Sequence, residues 1–252
     1  MEKLPQDHTD VRQLLTGKES AALGRRMFMR YLGATAAAGV ALSACHDQVM
    51  DPTTSARGSA RAGYRTIDLG DLGTNDVGVL NYAYALEQLE AAFYTQAVMT
   101  PYSGITDAER QILSDIRDHE IVHREFLKAA LGSAAIPGLT PDFTSINFSS
   151  RASVLGTARV FENIGVSAYN GAGQYIQSAA YLTIAGQIVS VEARHAAIIA
   201  TLLDPQGRSF AGDEVIYPNS GLEEIRVPTE VLAIVSPYIY ETINGMQLPR
   251  RA

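Results

Sequence analysis

"DHEIVHREFL", residues Asp118 to Leu127, contains the pattern H-E-x-x-H in His119, Glu120 and His123. On a helix that pattern is one signature of a hydrolytic zinc site, with two histidines one turn apart and the glutamate as general base. A different kind of site uses only E-x-x-H, in which Glu120 and His123 share one helical face. The surrounding residues favour a helix. Leu113, Ile116 and Leu127 recur at helical spacing on one face, with Glu120 and His123 at its centre, while Asp115, Asp118, Glu125 and Lys128 point elsewhere. "TDAE", Thr106 to Glu109, reads as a capping box that opens this helix, and Gly132 closes it.

The same arrangement occurs again in "QIVSVEARHAAIIATLL", Gln187 to Leu203. Gln187, Ser190, Arg194 and Thr201 fall on one side, and Ile188, Val191, Ile199 and Leu202 on the other, with Glu192 and His195 in the middle of the apolar face. A lone ionised carboxylate buried there costs several kcal/mol, on the order of the penalty for any unpaired charge, unless it is paired or metal-bound. Two further helical stretches precede these two. "EQLEAAFY" runs from Glu87 to Tyr94 and "ENIGVSAY" from Glu162 to Tyr169, each a glutamate with a tyrosine seven residues on. Glu87 lies 33 residues before Glu120, and Glu162 lies 30 before Glu192, so the chain reads as two similar helical hairpins. Glu90 competes with Glu87 on the first helix, but its counterpart on the third is Gly165, which favours Glu87 as a ligand.

Helical periodicity therefore predicts four helices: Asp76 to Pro101, Thr106 to Gly132, Arg151 to Tyr169 and Ser178 to Leu203. The joints between them are short, long and short, the long one spanning 132–149 with Pro137, Gly138 and Pro141. The fold class is all-α, a four-helix bundle with a long crossover between helices 2 and 3. Four glutamates and two histidines are the donor set of a di-metal carboxylate bundle, and two divalent cations balance four carboxylates. Oxygen-rich ligation with two imidazoles suits iron or manganese, with zinc also able to bind.

These stretches resemble the ferritin-like superfamily, and within it the bacterial ferritin-like proteins grouped with desiccation-related proteins. "LNYAYALEQLEAAFY", "HEIVHREFL", "FENIGVSAY" and "VEARHAAII" carry the resemblance, over residues 76–205. It implies a carboxylate-bridged site for two Fe or two Mn ions. Glu120 and Glu192 would bridge, Glu87 and Glu162 would each chelate one metal, and His123 and His195 would bind one apiece. Tyr94 and Tyr169 would orient carboxylates or supply a redox-active phenol, with His119 and Glu90 as neighbours of the site. The zinc-protease alternative would require Gly at 126, where the chain has Phe126, and leaves the second E-x-x-H unexplained.

The remaining sequence bears on location. "GRRMFMRYLGATAAAGVALSAC" pairs Arg25 and Arg26 with a short apolar run and ends at Cys45. It resembles a twin-arginine signal ending in a lipobox, so residues 1–45 are read as an export signal with Cys45 as the acylated residue. Residues 46–75, poor in large apolar side chains, read as a tether, and 206–252 as a C-terminal extension of loops and one short helix, Glu230 to Ile243, bent at Pro237. Cys45 is the only cysteine of the 252 residues, which excludes an internal disulfide and a cysteine-bound iron–sulfur knuckle. A net charge of −7 without a basic stripe argues against nucleic-acid binding. The expected protein is a lipid-anchored envelope protein using dioxygen or peroxide in oxidative-stress chemistry. Its rival is a non-enzymatic bundle for stress or desiccation protection or partner binding, and its oligomeric state, a homodimer among the options, is left open.

Overall fold

The structure, a computed structural model, describes residues 65–70, 75–207 and 209–244. The signal with Cys45, and most of the stretch read as a tether, lie outside the described residues. Four long helices occupy the positions their periodicity predicts: α1 (Asp76–Met99), α2 (Asp107–Leu131), α3 (Arg151–Ala172) and α4 (Ala179–Leu203).

Each begins at a side chain that accepts an otherwise unpaired N–H of the first turn. Asn75 accepts from Val77, Ser150 from Ser153 and Ser178 from Tyr181. Thr106 and Glu109 form the reciprocal capping box read from "TDAE". Gly132 ends α2 at φ 55°, a left-handed conformation that a side chain would strain. The chain continues helically through "NGA", so α3 runs three residues beyond Tyr169 before a 3₁₀ turn, Gly173–Tyr175.

α1 packs against α2 and against α3, and α3 against α4. The mostly apolar α1 is buried along most of its length, which makes it the inner member of its hairpin. An aromatic cluster joins α1, the crossover and α3. Phe93 meets Phe161 edge-on at 5.2 Å, and Phe143 and Phe148 of the crossover at 6.0 and 5.8 Å. The crossover is also pinned to α1 by polar bonds: Asn81 accepts from the Ile136 N–H at 2.8 Å and donates to the Ala134 carbonyl at 3.0 Å. Gln88 accepts from the Leu139 N–H at 2.9 Å.

The C-terminal extension departs from its reading as one bent helix. α5 (Pro228–Val235) stops short of Pro237, a 3₁₀ turn holds Ser236–Tyr238, and the chain then becomes extended. Proline cannot donate the N–H that would continue the helix. Residues 242–244 form a strand, pairing in parallel with residues 66–68 from the end of the stretch read as a tether. Two further two-residue strands, Ile216–Tyr217 and Leu222–Glu223, make a small hairpin.

Candidate metal centre

All four long helices deliver side chains to one buried point. Glu87, Glu120, Glu162 and Glu192 are each 0% exposed, and His195 is 4% exposed. Each carboxylate is the core-facing residue of its helix, so the same periodicity that buries the leucines and isoleucines buries these charges.

The geometry has an approximate two-fold relation between the hairpins. His123 Nδ1 lies 2.8 Å from Glu192 Oε1, 3.5 Å from Glu87 Oε2 and 3.7 Å from Glu120 Oε2. His195 Nδ1 lies 2.8 Å from Glu120 Oε1, 3.1 Å from Glu192 Oε2 and 3.5 Å from Glu162 Oε2. Two overlapping donor sets result, Glu87–Glu120–His123–Glu192 and Glu120–Glu162–Glu192–His195. Glu120 and Glu192 belong to both, while Glu87 and Glu162 belong to one each. The resemblance implied bridging roles for the first pair and terminal roles for the second.

The outer oxygens of Glu87 and Glu162 are held by a crossed pair of tyrosines. Tyr94 of α1 donates to Glu162 Oε1 of α3, and Tyr169 of α3 donates to Glu87 Oε1 of α1 at 2.5 Å. In each case Oε2 is left facing inward. The equal Glu-to-Tyr spacing hinted at these roles, but the exchange between helices is a product of packing alone. His119 sits outside both donor sets and meets His195 instead, its Nδ1 2.9 Å from the His195 Nε2. Glu90 is buried, 4% exposed, and reaches toward Gly165, where an added Cβ would stand 3.1 Å from its Oε1. The counterpart of Glu90 is thus a glycine whose missing side chain leaves the carboxyl room.

Protonation follows from this crowding. Burial opposes charge on both imidazoles, but the carboxylates outweigh it: Glu120, Glu192 and Glu87 push His123 up to about 12. Glu120, Glu162 and Glu192 do the same for His195, also to about 12. Burial, reinforced by Glu192, raises Glu120 well above the usual carboxylate range, and burial raises Glu162. Burial and the same four carboxylates drive Glu90 up as well. His119 moves down, through burial and the neighbouring His195 and His123.

The donor atoms fit cations better than they fit one another. Although His123 Nδ1 and Glu192 Oε1 are close, neither has hydrogen-bond geometry, and Glu87 Oε2, Glu162 Oε2 and both oxygens of Glu120 are likewise without a hydrogen bond. A buried polar atom without a partner costs about 1–3 kcal/mol, more if charged. Here six such atoms converge on shared points from four helices. The set of carboxylate oxygens and two imidazole nitrogens is compatible with a di-metal site.

Residues 75–205 match the family described as the ferritin-like domain. This stretch is more than half of the chain, which belongs to that family. Comparison with curated proteins gives no match.

Proposed function

We propose that this is an exported, lipid-anchored di-metal protein of the cell envelope, holding two Fe or two Mn ions and reacting with dioxygen or peroxide. The observation that carries the reading is the pair of donor sets sharing Glu120 and Glu192. Glu87 and His123 would complete one ion's ligands, and Glu162 and His195 the other's. When bound, such a pair of ions supplies a two-electron redox change to a small oxidant. The chain's own part is to orient and to exclude water. Tyr94 and Tyr169 fix the terminal carboxylates, and the packed leucines, isoleucines and phenylalanines of the core keep water from the centre except at the His123 edge. Export and anchoring rest on Arg25, Arg26 and Cys45; among the described residues no helix is long and apolar enough to cross a membrane.

A second reading takes the close His–carboxylate approaches as ion pairs of a metal-free bundle that protects or binds a partner. Elemental analysis of the purified protein separates the two. Two Fe or Mn per chain, lost in Glu120→Ala, is the expected result, followed by turnover of hydrogen peroxide or Fe(II) by the loaded protein. A metal-free protein whose stability is unchanged by metal supports the second reading.

A further inference from the structure

The relation that carries Glu120 onto Glu192 and His123 onto His195 continues one turn upstream, where it sets His119 against Val191. At this position the two halves of the centre part. The ring planes of His119 and His195 are 10° apart with centroids 5.2 Å apart, and their Nδ1 and Nε2 are 2.9 Å apart. The two imidazoles therefore lie end to end along one N–H···N bond. Val191 has neither donor nor acceptor to offer His123. That ring meets carboxylates through Nδ1 only, and among the described residues its Nε2 has no partner. Its side chain stays 12% exposed. It borders a cavity of 250 Å³ between α2 and α4, with Val122, Phe126, Gln187, Ile188 and Val191 in its wall.

We propose that His119 is a positioning residue that makes the two halves unequal, so that the half containing His195 takes a divalent cation first and holds it more tightly. The inference rests on the di-metal reading above. Which nitrogen of an imidazole is free to ligate is set by the hydrogen bond the other nitrogen makes. By accepting the Nε2–H of His195, His119 fixes Nδ1, aimed at Glu120, Glu162 and Glu192, as the nitrogen left to ligate an incoming ion once that ion displaces its proton. His119 then carries its own proton on Nε2. The ring arrives with its orientation and its ligating nitrogen already chosen, and little ordering remains when the ion binds. His123 makes both choices on binding, at the edge of an open cavity. Outer partners of this kind are worth about 10–100-fold in metal affinity.

The test is a calorimetric titration of the metal-free, full-length protein with Mn(II), with bound Mn counted by electron paramagnetic resonance. The expected result is two resolved steps. His119→Ala weakens the tighter step by about 10–100-fold and leaves the weaker one in place. His119→Asn, whose amide oxygen can accept the same N–H, recovers part of the loss. His119 is solvent-exposed, so both variants are expected to fold, which circular dichroism of the metal-free proteins checks. Two equal steps in the parent protein, or equal weakening of both steps in His119→Ala, overturns the inference while the di-metal reading stands. Absence of Mn binding by the parent protein overturns both.

Discussion

At the scale of single residues, the centre is a place where protons and any bound cations would compete for the same atoms. His123 and His195 are held protonated up to about 12, against 6.5 for a free imidazole. In the metal-free protein the folded state therefore binds more protons than the unfolded one across that window. Their contribution to stability is complete below 6.5 and is lost as pH rises toward 12. Urea denaturation in the presence of a chelator is expected to show a midpoint that falls as pH rises through this window. Ligation needs bare imidazole nitrogens, so metal affinity is expected to move the other way, rising with pH, with protons released on binding. Calorimetry in buffers of different ionisation enthalpy counts those protons. An apo midpoint that climbs with pH would contradict protonated imidazoles in the folded state. The tyrosines make a separate prediction. Tyr94→Phe leaves Glu162 Oε1 without its donor and is expected to cost about 1–3 kcal/mol of metal-free stability and to weaken metal binding. Tyr169→Phe is expected to do the same through Glu87. At this scale the sequence was informative, because each candidate ligand sits at a helical spacing that also dictates burial. It could not show that the tyrosines exchange partners, since that contact joins residues 68 and 82 positions apart.

At the scale of elements, the helices follow local signals and the extension does not. Caps at Asn75, Thr106, Ser150 and Ser178 mark four helix starts with side chains visible in sequence. The docking of the extension depends instead on a near-absence of side chain. A Cβ added at Gly171 would stand 1.9 Å from the Arg226 carbonyl oxygen, so the extension's backbone lies directly on α3. Beside that contact the Arg226 N–H donates to the Ser167 carbonyl at 3.0 Å, and the Arg226 guanidinium donates to the Ser167 hydroxyl at 2.8 Å. Gly171→Ala is expected to lift this segment and lower stability by about 1–3 kcal/mol, the usual cost of overpacking, read from thermal or urea denaturation. An unchanged midpoint would mean that the segment moves freely on α3. Nothing in "NGAG" distinguishes a joint between helices from a glycine chosen for close approach, and only the partner backbone decides.

At the scale of the whole molecule, the extension clasps the long crossover to the bundle. The Thr140 N–H and hydroxyl both donate to Glu241 at 2.8 Å, the Asp142 N–H donates to the Tyr238 carbonyl at 2.7 Å, and Tyr238 meets Phe161 edge-on at 4.9 Å. The strand after Glu241 then pairs with residues 66–68. Glu241→Ala removes both acceptors of Thr140 and is expected to cost about 1–3 kcal/mol and to raise amide exchange in the crossover before the helices, as hydrogen-exchange mass spectrometry would show. The sequence by itself determined the all-α bundle, the order of its joints and the six ligand candidates, because helix formation and burial are written in spacings of three, four and seven residues. Tertiary structure alone decided that Tyr94 and Tyr169 cross, that His119 backs His195 while Val191 offers nothing to the Nε2 of His123, and that three-residue strands pair residues 66–68 with 242–244. Those features depend on contacts between residues far apart in the chain, and such contacts leave no local period in the order of the residues.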